Sequence, residues 1–182
     1  MQTALRACLT IAAFALGLGY AATAQAQAWV DFKDPTCKCA ATFPGKPTEK
    51  RQKVPTNNKE IGDLEAVMYL YEGPGGTSAY LMMYNDYPKD KAMAADPQKV
   101  LDGARNGAAD KINGKILSEK KITINGQPGR ELEIDGGQLK YYARIVLANK
   151  TRLYQAIVVM QKDVAKPADV RKFLDSFKVD IK

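Results

Sequence analysis

YYARIVLANKTRLYQAIVVM, residues 141–160, decides the fold. Two apolar runs, Tyr141 to Leu147 and Leu153 to Met160, flank Asn149-Lys150. They are rich in β-branched and aromatic side chains, the composition of strands. Asn tolerates left-handed backbone, so Asn149-Lys150 predicts a tight turn and the two runs a hairpin. Both runs are apolar on both faces, so they belong at the centre of a sheet covered on each side. A two-residue turn sets Ile145 opposite Tyr154 and Ala143 opposite Ala156. It also sets Arg144 beside Gln155, a polar break in a mostly apolar patch.

Working outward, the preceding strands follow the same logic. Lys115 to Ile124 leads into Asn125-Gly126, a strong hairpin signal. The return strand is Arg130 to Asp135, and Asp135-Gly136-Gly137 turns into the central hairpin. A strict two-residue loop at Asn125-Gly126 would put Ile122 and Leu132 on opposite faces. A bulge or wider loop at Gln127-Pro128-Gly129 is expected to restore them to one face. Further upstream, Leu64 to Tyr71 and Ala79 to Tyr84 form another hairpin across the glycine-rich Gly73 to Ser78. Trp29 to Phe32 and Cys37 to Phe43 are short strands around the turn Asp34-Pro35-Thr36. Lys53 to Asn58 reads as a loop or edge strand.

Two helices interrupt the strands. Asp96-Pro97 supplies an N-cap and a first-turn proline, followed by Val100, Leu101, Ala104, Ala108 and Ile112 at helical spacing. Pro167 opens the second, with Val170, Phe173, Leu174 and Phe177 as its buried positions. Val179 and Ile181 suggest a last short strand. The fold class is therefore α+β: a central antiparallel sheet with helices packed on its faces, in a single domain.

The N-terminus carries an address. Arg6 precedes an apolar run from Ala7 to Tyr20, shorter than the roughly 20 residues of a spanning helix. Small and polar residues then alternate through Ala22, Ala24, Ala26 and Ala28, as at A-x-A cleavage sites. Residues 1–26 read as a signal peptide of Gram-negative style, cut after Ala26 or Ala28, and residues 27–182 as the periplasmic domain. Cys8 precedes the apolar core, which argues against lipid attachment.

The formal charge is +7, of which Arg6 supplies one. Lys46, Lys50, Arg51, Lys53 and Lys59 cluster early in the domain, reading as a solvated basic loop. An exported domain does not meet nucleic acid, so a functional reading of that charge is an envelope protein or an anionic envelope surface. Cys37 and Cys39 are spaced C-x-C. Three readings stand open: a local disulfide, a soft-metal thiol pair, or a bridge to another chain.

Chemistry is sparse. The chain has no histidine, which removes the commonest general base and metal ligand. Ser-His-Asp and Cys-His hydrolysis are excluded with it. Glu131, Glu133 and Asp135 alternate on one strand face, with Lys120 or Lys121 as ordinary cross-strand partners. Tyrosines are numerous: Tyr69, Tyr71, Tyr80, Tyr84, Tyr87, Tyr141, Tyr142 and Tyr154. Such side chains suit surfaces that are half buried and half wet. The candidate interaction patch is Tyr142, Arg144 and Gln155. No catalytic, cofactor or metal residue is assigned.

Several short motifs carry a resemblance. They are Phe43-Pro44-Gly45-Lys46-Pro47, Ile124-Asn125-Gly126-Gln127-Pro128-Gly129-Arg130-Glu131, Leu153-Tyr154-Gln155 and Phe173-Leu174-Asp175-Ser176-Phe177. Their order resembles the PsbP-like fold group, which includes the extrinsic subunit of the oxygen-evolving complex and many exported bacterial domains. The resemblance implies an antiparallel sheet between helices and a role in binding or assembly; an exported, histidine-free, tyrosine-rich domain reads as a non-catalytic module of that kind. The histidine ligands of some members have no counterpart here. A small-molecule binder, for a hydrophobic or anionic ligand, is the alternative; an enzyme using carboxylates or the C-x-C pair ranks after it.

Overall fold

Asp96 caps its helix as the sequence predicts: its carboxylate accepts from the Gln98 N–H at 2.9 Å, with Pro97 in the first turn. The structure, a computed structural model, describes residues 28–56, 59, 61–90 and 96–180. The predicted signal segment lies outside these residues. Among them, no helix is long and apolar enough to cross a membrane.

A seven-stranded antiparallel sheet forms the centre, built from β3 (Thr48–Val54), β4 (Leu64–Glu72), β5 (Ser78–Asp86), β6 (Lys115–Ile124), β7 (Gln127–Gly136), β8 (Leu139–Ala148) and β9 (Arg152–Gln161). Its order is β3-β4-β5-β9-β8-β7-β6, so the β8–β9 hairpin lies inside it, as its apolar faces require. Helix α1 (Pro97–Lys111) covers one face. It inserts Leu101, Ala108 and Ala109 over Leu132, Ile134, Ala143, Ile145 and Leu147.

Helix α2 (Pro167–Ser176) covers the other face together with a small sheet of β1 (Val30–Asp34), β2 (Cys39–Phe43) and β10 (Lys178–Val179). This second layer is aromatic. Phe173 is fully buried, 4.9 Å from Phe43 and 5.4 Å from Tyr80 between ring centres. Trp29 closes its margin, edge-on to Tyr80 and under the Lys172 ammonium.

Four local expectations are corrected. The central turn has three residues: Ala148 pairs with Arg152, Ile145 with Gln155 and Val146 with Tyr154. Asn149 and Lys150 both take left-handed φ, and the Thr151 N–H closes onto Ala148. The extra residue shifts the register by one. Arg144 therefore faces Ala156, and Gln155 lies on the opposite face of the sheet from Arg144 and Tyr142.

The Asn125-Gly126 turn, in contrast, is a strict two-residue loop. Ile124 pairs with Gln127, and both turn residues have positive φ, as type I′ geometry demands. The register shift lies upstream, between Ile116 and Ser118. Ile122 and Leu132 thus stay on opposite faces, with Ile116 packed under α1 and Ile124 in the aromatic layer. Gly129 is required where it stands, because a Cβ there would meet the Ile145 carbonyl at 2.5 Å.

The basic segment is not a loop. Lys50, Arg51 and Lys53 sit on β3, an edge strand of the large sheet, which begins before the expected Lys53. Cys37 lies in the turn before β2 rather than on a strand.

Candidate functional site

The pleat of β7 sends Glu131, Glu133 and Asp135 to the α2 face. Their neighbours across β8 are Arg144, Tyr142 and Lys140 respectively. Across β6 they include Lys120 opposite Glu131 and Ser118 opposite Glu133. The first turns of α2 lie over this polar carpet. Between them is a cavity of about 220 Å³, walled by Pro167, Val170 and Leu174 and lined by Ser118, Lys120, Glu131, Glu133, Tyr142 and Arg171.

Two kinds of polar group line this groove. The carboxylates are engaged. Glu131 accepts from Arg144 at 2.6 Å and from Arg171 at 2.9 Å. Glu133 lies 3.4 Å from Lys140, and Asp135 lies 2.9 Å from Lys162. Burial alone would raise the Glu131 carboxyl, but the hydrogen bonds from Arg144 and Arg171 outweigh it and hold it below its ordinary value. It stays ionised near neutral pH and cannot serve there as a general acid. By contrast, Ser118 Oγ, Lys120 Nζ and Tyr142 Oη have no partner among the described residues.

Of the predicted patch, the structure unites Tyr142 and Arg144 on this face and separates Gln155. Arg144 is fully employed. Besides Glu131, it donates to the Leu174 carbonyl at 2.7 Å and to Asp175 at 2.6 Å, tying β8 to the end of α2. A cation there also suits the negative end of the helix. Lys120, Arg171 and Ser118 were not singled out as site residues from the sequence. Their convergence depends on where α2 docks, which no local pattern encodes.

The tyrosines mostly serve the core. Tyr69, Tyr80, Tyr84, Tyr141 and Tyr154 are buried, and burial raises the Tyr80 hydroxyl to about 12. Tyr154 donates to the Cys37 carbonyl at 2.6 Å. Cys37 and Cys39 stand as a disulfide with Cα atoms 5.2 Å apart, both buried, with Lys38 between them at a φ of 56°.

A second charged cluster sits under α1. Arg130 is buried, with Nε 2.7 Å from Glu119 and Nη2 donating to Gln98 at 2.7 Å. Arg105 bridges Glu119 and Asp102 beside it. Among the described residues, no group of three or more His, Cys, Asp or Glu side chains is placed to hold a metal ion.

The resemblance motifs explain themselves structurally. Phe43 and Phe173 pack edge-to-face in the aromatic layer. Asn125 donates to the Val179 carbonyl, fastening the β6–β7 turn to β10. Gln127 accepts from the Asn149 N–H at 2.9 Å, joining two hairpin turns. Ser176 accepts from the Thr42 N–H and donates to the Phe173 carbonyl.

No family model matches the chain, and no curated protein does. Among solved structures, its fold is similar to the solution structure of cyanobacterial PsbP (CyanoP) from Synechocystis sp. PCC 6803. That likeness has a TM-score of 0.53 at 13% identity, and covers 90% of this chain and 99% of that one. This likeness, spanning nearly all of both chains, leads to one conclusion: the chain has a PsbP-like fold.

Proposed function

We propose that the chain is an exported, periplasmic, non-catalytic module that binds or assembles with an envelope protein through the groove beneath α2. The observation that carries this reading is the division of labour in that groove. The carboxylates are tied to cations, while Ser118, Lys120 and Tyr142 offer free donors beside an apolar wall. Recognition groups are open and acid–base groups are occupied. The volume of about 220 Å³ is below the ~300 Å³ at which small-molecule pockets begin. It fits a side chain inserted by a partner. The signal-like N-terminus supplies the address, and the PsbP-like fold supports a binding or assembly role.

The test is photo-crosslinking in the native envelope from Ser118, repeated with Lys120→Glu and Tyr142→Ala. Capture of one protein that either substitution abolishes is the expected result. Loss of neither refutes the groove as the contact. A second reading is a small anionic ligand, favoured by Lys120 and Arg171 on facing walls. Native mass spectrometry of gently purified protein separates the two, because a ligand would travel with the chain. We further assign Cys37–Cys39 as a structural disulfide: maleimide should label them only after denaturation and reduction.

A further inference from the structure

Strand β3 presents an edge of the large sheet that no described strand covers. It pairs with β4 residue for residue, from Thr48–Leu70 to Val54–Leu64, and no described strand pairs with its other side. Six of its seven residues are exposed, so both of its faces are wet. The opposite edge, β6, breaks register at Leu117, and a bulge turns an edge away from an added strand. The unpaired N–H and C=O groups of β3 are a template for strand addition.

Charge selects the strand that could add. Lys50, Arg51 and Lys53 lie on β3, with Lys46 before it and Lys59 after it. Arg51 is engaged, 2.9 Å from Glu49 and 3.7 Å from Glu65. Lys46, Lys50, Lys53 and Lys59 make no ion pair with a described residue. Lysines along an edge repel a like-charged edge, which disfavours a second copy of this chain. The pleat sends Lys50 to one face and Lys53 to the other. A flat anionic membrane can meet only one of those faces. An extended chain laid along the edge alternates its side chains and reaches both.

We propose that β3 docks an extended acidic segment of a partner protein by strand addition, with Asp or Glu side chains pairing with Lys50 and Lys53. The proposal rests on the binding-module reading and gives it a second surface, at the far end of the sheet from the α2 groove.

The probe is a fluorescent peptide that alternates Glu with Val and Thr, titrated onto the purified chain and read by anisotropy. Its counterparts carry methyl groups on alternate backbone nitrogens, in either phase, which removes the donors a new strand needs. The acidic peptide should bind, and Lys50→Glu with Lys53→Glu should weaken it about tenfold or more. One methylation phase should abolish binding. Equal binding by both methylated peptides, no effect of the double substitution, or no binding of the acidic peptide overturns strand addition. So does binding to phosphatidylglycerol vesicles that the double variant loses while the peptide does not bind. Partner capture in the envelope separates this proposal from the reading beneath it. If Lys120→Glu abolishes capture and the β3 variant leaves it unchanged, strand addition fails and the groove stands. If neither changes it, both fail.

Discussion

Replacing Arg144 by methionine asks whether this side chain clamps the fold or waits for a partner. Its guanidinium spans Glu131, the Leu174 carbonyl and Asp175 at 2.6–2.7 Å. A hydrogen bond to a charged group contributes about 1.5–3 kcal/mol, but the three contacts are unequal. Glu131 keeps Arg171 at 2.9 Å, so its loss is nearer ~1 kcal/mol. The Leu174 carbonyl, on a buried residue at a helix end, loses its charged donor, about 1.5 kcal/mol. Asp175 is 54% exposed, and that contact contributes ~0–0.5 kcal/mol after screening. Methionine retains much of the stem packing. The expected loss is about 2–3 kcal/mol, or roughly 5–10 °C in Tm for a domain of this size.

Urea unfolding followed by the fluorescence of Trp29, the single tryptophan, measures it. Arg144→Lys should recover less than half, because one ammonium cannot span three acceptors. A double-mutant cycle with Glu131→Gln should return a coupling of about 1 kcal/mol. A methionine variant within ~0.5 kcal/mol of the parent would refute the clamp. It would return Arg144 to the role its sequence position first suggested, a docking group.

Phe173→Ala empties the centre of the aromatic layer, where Phe43 and Tyr80 lean on a fully buried ring; it should cost about 3–5 kcal/mol by chemical denaturation. Lys150→Gly relieves a left-handed backbone at φ 60° and should stabilise the central turn by about 0.5–1 kcal/mol, so a loss of stability would contradict the turn geometry. Because Glu131 titrates below its ordinary value, its ion pairs stabilise the fold above the unfolded carboxyl value and are lost as pH falls through the folded one. Glu131→Gln should therefore be less stable near neutrality and show a flatter acid limb than the parent in stability measured against pH.

Element order and the buried faces were legible because they rest on local rules. Asp96-Pro97 starts α1, and Val170, Phe173, Leu174 and Phe177 bury one side of α2 and its cap. Register was not legible, for a physical reason. The Asn149-Lys150 turn closes with either two or three residues, and both choices bury apolar side chains, because both faces of β8 and β9 are apolar. A strand wet on one face would have penalised the wrong choice. In β6, Ile116 and Ile122 need opposite faces six residues apart. A shift anywhere between them satisfies that, and the sequence does not say that Leu117 supplies it.

The same ambiguity governs the site. Tyr142 and Arg144 could be chosen from sequence, because a charge in the middle of an apolar run demands a partner. The sequence does not say whether that partner lies within the fold or outside it. Here Glu131, Leu174 and Asp175 answer from within, and Arg144 is consumed. Lys120 looked bland as a cross-strand neighbour of Glu131, since such lysines usually neutralise the carboxylate they face. It is left open because Arg144 and Arg171 reach that carboxylate first. The availability of Lys120 for recognition is thus set by two arginines on other elements. Substituting Arg144 should draw Lys120 toward Glu131 and close the groove to a partner, so that fold stability and partner capture fall together.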